Sequence, residues 1–155
     1  MRARTMVMAQ LREIDLPDFG IPDEQPVVPD AIYRDRLERF RQRAGERGYD
    51  RMVVYADREH SANLSYLTGF DPRFEEAILI VGDGADPLVL VGNECGGMAE
   101  AAPLPLRVEL HQDLSLPGQP RDRSRPLAAI LSEEGLSDGS RVGLIGWKEF
   151  RNRQM

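Results

Sequence analysis

The 155-residue sequence predicts an α/β domain in which a mixed β-sheet carries helices on its faces. Three features lead there. Helix-period and strand-type segments alternate from residue 30 onward, one pair of strand segments is joined by a short turn that makes a hairpin, and the composition suits an ordinary packed core. Hydrophobic residues make up 41% and charged residues 30% of the chain, so neither a disordered nor a fibrous class is suggested. A chain of this length is one domain's worth and buries roughly two-thirds of its unfolded surface.

The chain divides near residue 30. Before it, Pro17, Pro22, Pro26 and Pro29 alternate with Asp15, Asp18, Asp23 and Glu24, a mixture that blocks helix and sheet alike. Residues 1–29 are therefore expected to form an extended arm that either packs on something or stays free, with the domain in residues 30–155.

From Asp30, read as an N-cap, Tyr33, Leu37, Phe40 and Ala44 recur at helical spacing, with Arg34, Asp35, Glu38, Arg39 and Arg41 on the opposite side. This predicts an amphipathic helix ending near Gly48. Met52-Val53-Val54-Tyr55 is a short run of β-formers and predicts a buried strand. Residues 58–67 predict a short helix stopped at Gly69. Glu76 to Val81 and Leu88 to Val91 predict two strands, and Gly82-Asp83-Gly84-Ala85-Asp86-Pro87 between them predicts the turn of a hairpin. A helix through Glu94–Ala101, a strand at Arg107–His111, a helix at Pro126–Glu134 and a strand at Arg141–Ile145 complete the series. Gln112 to Arg125, with Pro117, Gly118 and Pro120, reads as a surface loop.

Several function classes are disfavoured by composition. The net charge of −6 argues against a nucleic-acid footprint, and the basic cluster Arg121, Arg123 and Arg125 reads as a solvated loop. No apolar run approaches the roughly 18 residues that span a bilayer. Gln10, Arg12, Glu13 and Asp15 stand where a signal peptide needs apolar residues, which makes the cytoplasm the default compartment. The single Cys95 has no internal disulfide partner and reads as a small residue in a turn rather than a nucleophile.

The remaining chemistry-bearing residues are scattered. His60 and His111 are the only histidines, and neither has a second ligand at helix or strand spacing, so polar or capping roles are expected. Glu75 and Glu76 are adjacent, and on a strand they point to opposite faces rather than converging as acid and base. Gly82-Asp83-Gly84 joins two strands and lacks the third glycine of a dinucleotide fingerprint. Gly92 to Gly97 presents backbone N–H groups where a helix begins, although Glu94 and Glu100 weaken it as an anion site. Trp147 reads as a packing anchor. After Thr68, Gly69 turns the chain so that Phe70-Asp71-Pro72-Arg73-Phe74 is expected to project as a loop. Phe70, Asp71, Arg73 and Phe74 are the candidate contact residues, with Arg73 available to a carboxylate. The alternative is that both aromatics fill the core and Arg73 is solvated.

Four stretches carry a resemblance. They are Tyr33, Arg36 and Leu37 in a Tyr-x-x-Arg-Leu start; Asn63, Tyr66, Leu67, Thr68, Gly69 and Phe70 in an Asn-x-x-Tyr-Leu-Thr-Gly-Phe element; Gly92-Asn93-Glu94; and Arg141 through Trp147 to Lys148. From about residue 30 to 148 the chain resembles the creatinase/prolidase N-terminal domain, and most of all that of Xaa-Pro aminopeptidases and prolidases. The resemblance implies a ribonuclease-H-like α/β fold with helices on both faces of a mixed sheet. In that family such a domain precedes a pita-bread catalytic domain, whose dinuclear site (Mn, Co or Zn) uses two Asp, a His and two Glu. No corresponding set occurs here, so no catalytic residue, metal ligand or cofactor is assigned to this chain, and the catalytic domain is read as absent.

The resemblance further implies that the 70–74 tip lies near a catalytic pocket of its own or a neighbouring subunit, that the protein is a homodimer, and that the parent takes proline-containing peptides. The expected function is thus a non-catalytic domain of a metallohydrolase that supports dimerisation and substrate access. A free-standing protein- or peptide-binding module with a peptidase-like fold is the alternative. An enzyme complete in this chain is disfavoured, because no convergent acid, base or nucleophile set is visible.

Overall fold

A computed structural model describes residues 11–24 and 26–146 of the chain. Residues 11–24 and 26–29 carry no helix or strand, and their side chains are exposed. Regular structure begins with helix α1, Asp30–Glu46, in which Leu37 and Ala44 are buried and Tyr33 and Phe40 pack partly against the same core. The N-cap is Pro29 rather than Asp30: Pro29 has extended angles, its carbonyl accepts from the Ile32 N–H at 2.9 Å, and Asp30 is the first helical residue. There its carboxylate sits beside the positive end of the helix dipole without making a side-chain cap. The helix stops in a Schellman arrangement. The Tyr49 N–H reaches the Ala44 carbonyl at 3.0 Å and the Gly48 N–H reaches Gly45 at 2.9 Å, with Gly48 left-handed at φ 69°.

Five strands follow: β1 Arg51–Ala56, β2 Ala77–Val81, β3 Leu88–Val91, β4 Arg107–Leu110 and β5 Val142–Ile145. Their spatial order is β4-β3-β2-β1-β5. The β2–β3 hairpin is antiparallel with Ile78 opposite Leu90, and β1 pairs antiparallel with β2 with Val54 opposite Leu79. The outer pairs, β1–β5 and β3–β4, are parallel. The sheet is mixed, as the alternation of elements predicted.

Three helices complete the frame: α2 Ala62–Thr68, α3 Gly96–Glu100 and α4 Leu127–Glu133. One sheet face buries Val54, Leu79, Val89 and Val91 against Leu37 of α1, Leu64 and Leu67 of α2 and Ala99 of α3. The opposite face buries Ile80, Leu88 and Leu90 against Ile130 of α4 and Leu114. Residues alternating along one strand therefore serve two separate cores, which is why β3 is buried along its whole length. Helices lie on both faces. Among the described residues no helix is long and apolar enough to cross a membrane.

The predicted element types hold, while most helix bounds contract. The helix expected from residue 58 starts at Ala62, and the one expected over Glu94–Ala101 spans Gly96–Glu100. In both cases the preceding residues are in turns whose N–H groups are taken by buried carboxylates instead of helix carbonyls. Trp147 lies outside the described residues.

Candidate functional site

The sheet register gathers most of the polar residues at one end. Ala56 is opposite Ala77, Ala77 opposite Val91 and Val91 opposite Leu110. The carboxyl ends of β1, β3 and β4 and the amino end of β2 therefore share one edge, where open α/β sheets hold their ligands. Four segments meet there: Asp57–His60, Phe70–Glu76, Gly92–Cys95 and His111–Ser115.

The loop after α2 is set by its first residues. Gly69 is left-handed at φ 77°, and a Cβ there would lie 2.5 Å from Pro103. The Thr68 hydroxyl donates to the Leu64 carbonyl at 2.8 Å and accepts from the Phe70 N–H at 3.0 Å, and the Ser65 hydroxyl donates to the Phe70 carbonyl at 3.2 Å. These bonds turn the Phe70 ring inward, where it is 2% exposed and among the largest fully buried side chains. The sequence reading placed Phe70 on the projecting loop, and this is corrected: burial of a whole aromatic ring outweighs its position in a polar stretch. The two aromatics part company, because Phe74 is 46% exposed.

Asp71 and Arg73 form the loop tip. The Asp71 carboxylate accepts the Arg73 N–H at 2.8 Å, and Arg73 has φ 62°, the only positive φ of a non-glycine among the described residues. A long side chain held in this region costs roughly 1–2 kcal/mol, so the surroundings must impose it. They do so from both sides: buried Pro72 accepts the Cys95 thiol and the Glu75 N–H through its carbonyl, each at 3.1 Å.

Glu75 fixes the base of the loop. Its carboxylate is 1% exposed, and Oε2 accepts the backbone N–H groups of Glu94 and Cys95 at 3.1 Å each. It lies directly over Gly92, where a Cβ would stand 2.6 Å from the carboxylate. Oε1 has no hydrogen-bond partner among the described residues. Two of the N–H groups that looked available to an external anion, those of Glu94 and Cys95, are thus taken by an internal one, and that of Asn93 goes to the Ser115 hydroxyl. Sequence reasoning missed this clamp, and its only trace was a glycine just beyond an apolar strand.

Cys95 is buried beside this carboxylate, and burial first, then Glu75, pushes its thiol up to about 12. It is a packing residue with a weak donor bond rather than a nucleophile. Asp57, 5% exposed, accepts through Oδ1 the N–H groups of Glu59 and His60 and the His60 Nδ1 at 2.8 to 2.9 Å. Burial and the neighbouring Glu76 and Asp57 raise the Tyr55 phenol above its ordinary range. Asp57, Glu59, Phe74 and Glu76 line an open cleft of about 300 Å³ beside the loop.

His111 is buried, with Nε2 3.8 Å from Asp113 and Nδ1 unpartnered. It shares no hydrogen-bond or ion-pair partner with His60 among the described residues. Among the described residues, no group of three or more His, Cys, Asp or Glu is placed to hold a metal ion.

The Gln112–Arg125 segment is more structured than its composition suggested. Gln112 is fully buried and donates to Asn93 Oδ1 at 2.8 Å while its own Oε1 accepts the Arg123 N–H at 2.6 Å. Arg121 donates to the Gln112 and Ser115 carbonyls, and Arg125 bridges Glu109 and Glu133 at 2.8 Å. Of the arginines expected to be solvated, Arg121 and Arg125 pin the loop with their side chains, and Arg123 does so through its backbone N–H.

The creatinase/prolidase N-terminal domain family matches residues 36–147. The chain belongs to that family. Its α/β sheet with helices on both faces is the family's N-terminal domain fold. Similar solved structures include a dipeptidase of Pyrococcus horikoshii (27% identity, TM-score 0.48, covering 70% of this chain and 27% of that one) and a dipeptidase of Mycobacterium ulcerans (14%, 0.46, 68% and 26%). A proline dipeptidase of Streptococcus agalactiae is similar at 18% identity and TM-score 0.43, over 72% of this chain and 93% of that one. The match thus spans about a quarter of the length of the first two. No curated protein matches.

Proposed function

We propose that this creatinase/prolidase N-terminal domain serves, without catalytic groups of its own, as the dimerisation and substrate-access domain of a Xaa-Pro aminopeptidase/prolidase-like metallohydrolase. Dinuclear metal chemistry and cleavage of proline-containing peptides belong to a pita-bread catalytic domain, and the protein works in the cytoplasm as a homodimer.

The observation that carries the reading is the 71–74 tip. Arg73 and Phe74 are exposed, yet their backbone is over-determined by Asp71, Pro72, Cys95 and Glu75. Strain in a rigid, exposed arginine-aromatic pair is typical of a contact element, since presenting fixed groups costs less entropy on binding than ordering flexible ones. Arg73 supplies a fork for a carboxylate, such as a peptide terminus, and Phe74 supplies apolar surface beside the acidic cleft.

The test joins this domain to a catalytic domain and compares wild type with Arg73→Ala and Phe74→Ala. Losing a charged contact of about 1.5 kcal/mol raises KM for a Xaa-Pro peptide roughly tenfold, with kcat changed less. If KM and oligomer size both stay at wild-type values, the tip has no such role. Metal-stimulated turnover by the 155-residue chain alone overturns the non-catalytic assignment.

A further inference from the structure

The side of α1 facing α2 carries a basic groove that the site above does not use. Arg36, Arg39 and Arg43 fall at three- and four-residue spacing on one stripe of the helix, and with Phe40, Tyr66 and Ile145 they line a cavity of about 270 Å³. Arg36 is fixed: it donates to the Tyr66 carbonyl at 3.0 Å and stacks 4.2 Å from that ring's centroid. Tyr66 is well exposed, Arg39 is exposed but pairs with Asp35 one turn earlier at 3.0 Å, and Arg43 has no carboxylate partner among the described residues. The groove therefore combines an apolar floor with a rim of three arginines, of which Asp35 offsets only Arg39.

The same chain holds a segment of matching chemistry. In the arm, Leu16, Phe19 and Ile21 are 80 to 94% exposed, an unusual state for large apolar side chains. Asp15, Asp18, Asp23 and Glu24 are interleaved with them. The Asp18 carboxylate accepts the Gly20 N–H at 2.9 Å, with Gly20 at φ 68°, so a local turn holds Phe19 outward. The arm does not reach its own groove: every described residue from 11 to 32 is exposed, and Pro29 leads into α1 in an extended conformation at ψ 144°.

We infer that residues 15–24 of one copy dock into the Arg36–Arg43 groove of a second copy. Phe19 and Ile21 cover Phe40 and Tyr66, and Asp23 and Glu24 pair with Arg43 and with Arg39, which then shares its charge between the arm and its own Asp35. Reciprocal exchange fills both grooves around a two-fold axis and leaves no arm unpaired, which closes the assembly at a dimer. Because the contact is partly ionic, salt weakens it. This inference rests on the self-association proposed above and supplies its contact.

The test is sedimentation velocity of the full chain over a concentration series. Wild type is expected to form a dimer. Phe19→Ser with Ile21→Ser, and separately Arg39→Glu with Arg43→Glu, should each weaken the dimer at least tenfold, the loss typical of central contacts. Adding Asp23→Arg and Glu24→Arg to the arginine variant should restore association. Circular dichroism checks that these surface variants stay folded. In parallel, a photo-crosslinking phenylalanine analogue at position 19 is used in a mixture of isotopically light and heavy copies. Crosslinks from a light arm to a heavy α1 support the exchange. Crosslinks only within one copy mean the arm folds back on its own groove, and the inference fails. A dimer indifferent to all these variants removes the arm's role and leaves self-association standing. A monomer at every concentration removes both.

Discussion

The Glu75 clamp yields the sharpest stability prediction. In Gly92→Ala the new Cβ stands 2.6 Å from Cδ and both carboxylate oxygens of Glu75, closer than any real carbon contact. Restoring ordinary contact moves the carboxylate by roughly 0.8–1 Å. That displacement lengthens both 3.1 Å bonds to the Glu94 and Cys95 N–H groups past hydrogen-bonding range. Each bond to a charged acceptor contributes about 1.5–3 kcal/mol, so after partial relaxation the variant should lose about 3 kcal/mol and roughly 10 °C in Tm.

The assay is urea unfolding at pH 7 followed by far-ultraviolet circular dichroism. Gly97→Ala, within α3 and with nothing inside 4 Å of the new Cβ, is the control and should not destabilise, since helix propensity alone favours Ala there by about 0.5–1 kcal/mol. Glu75→Ala alone should also cost about 3 kcal/mol, because it strands the same two N–H groups. The double variant should cost little more than Glu75→Ala, giving a coupling of about 2–3 kcal/mol. Additive losses, or a Gly92→Ala variant as stable as wild type, would refute the clamp.

Other perturbations follow from the same geometry. Gly146→Ala puts a Cβ 2.2 Å from the Tyr55 carbonyl at φ 79°, and this backbone collision should cost more than about 3 kcal/mol or prevent folding, as read by the same unfolding curves. Cys95, raised from 9.0 to about 12, should resist alkylation at pH 8 until the protein unfolds. Because its folded pKa lies above the unfolded one, its contribution to stability is complete below pH 9 and is lost as pH rises toward 12. Alkylation of native protein at the rate of a free thiol would contradict this. Glu134 is held below 4.5 first by its hydrogen bond to Arg107, so that pair stabilises above pH 4.5 and the gain is lost on acidification. The stability difference between wild type and Arg107→Ala should therefore shrink as pH falls below 4.5 in an acid series.

Local patterns made the frame legible. Apolar runs at Met52–Tyr55, Ile78–Val81 and Leu88–Val91, and the 33-37-40-44 spacing of α1, depend on neighbours in sequence, and these elements appear where the periodicity puts them. What stayed hidden depends on specific side-chain partners, most of them far along the chain. Whether Phe70 faces in or out is decided by Ser65 and Thr68 bonds to its backbone, and the core's claim on its ring is not encoded in the polar residues around it. The Glu75 carboxylate finds its donors 19 and 20 residues later. Buried Gln112 is satisfied by Asn93 and Arg123, so a segment of loop composition became a fixed wall. Asp30 shows the smaller error of one position: it is the first helical residue, and the extended Pro29 before it is the N-cap. At the candidate site, sequence alone left Phe70, Arg73 and Phe74 together, and three-dimensional packing separates the buried Phe70 from the exposed Arg73 and Phe74.

The proposed role makes this domain one part of a larger metallohydrolase. The intact mass of the native protein in its source cells tests it most directly. A mass well above the 17.4 kDa of this chain, with a catalytic domain in the additional sequence, is the predicted result. A native product of 17.4 kDa would contradict the account and favour a free-standing binding module built on the same fold.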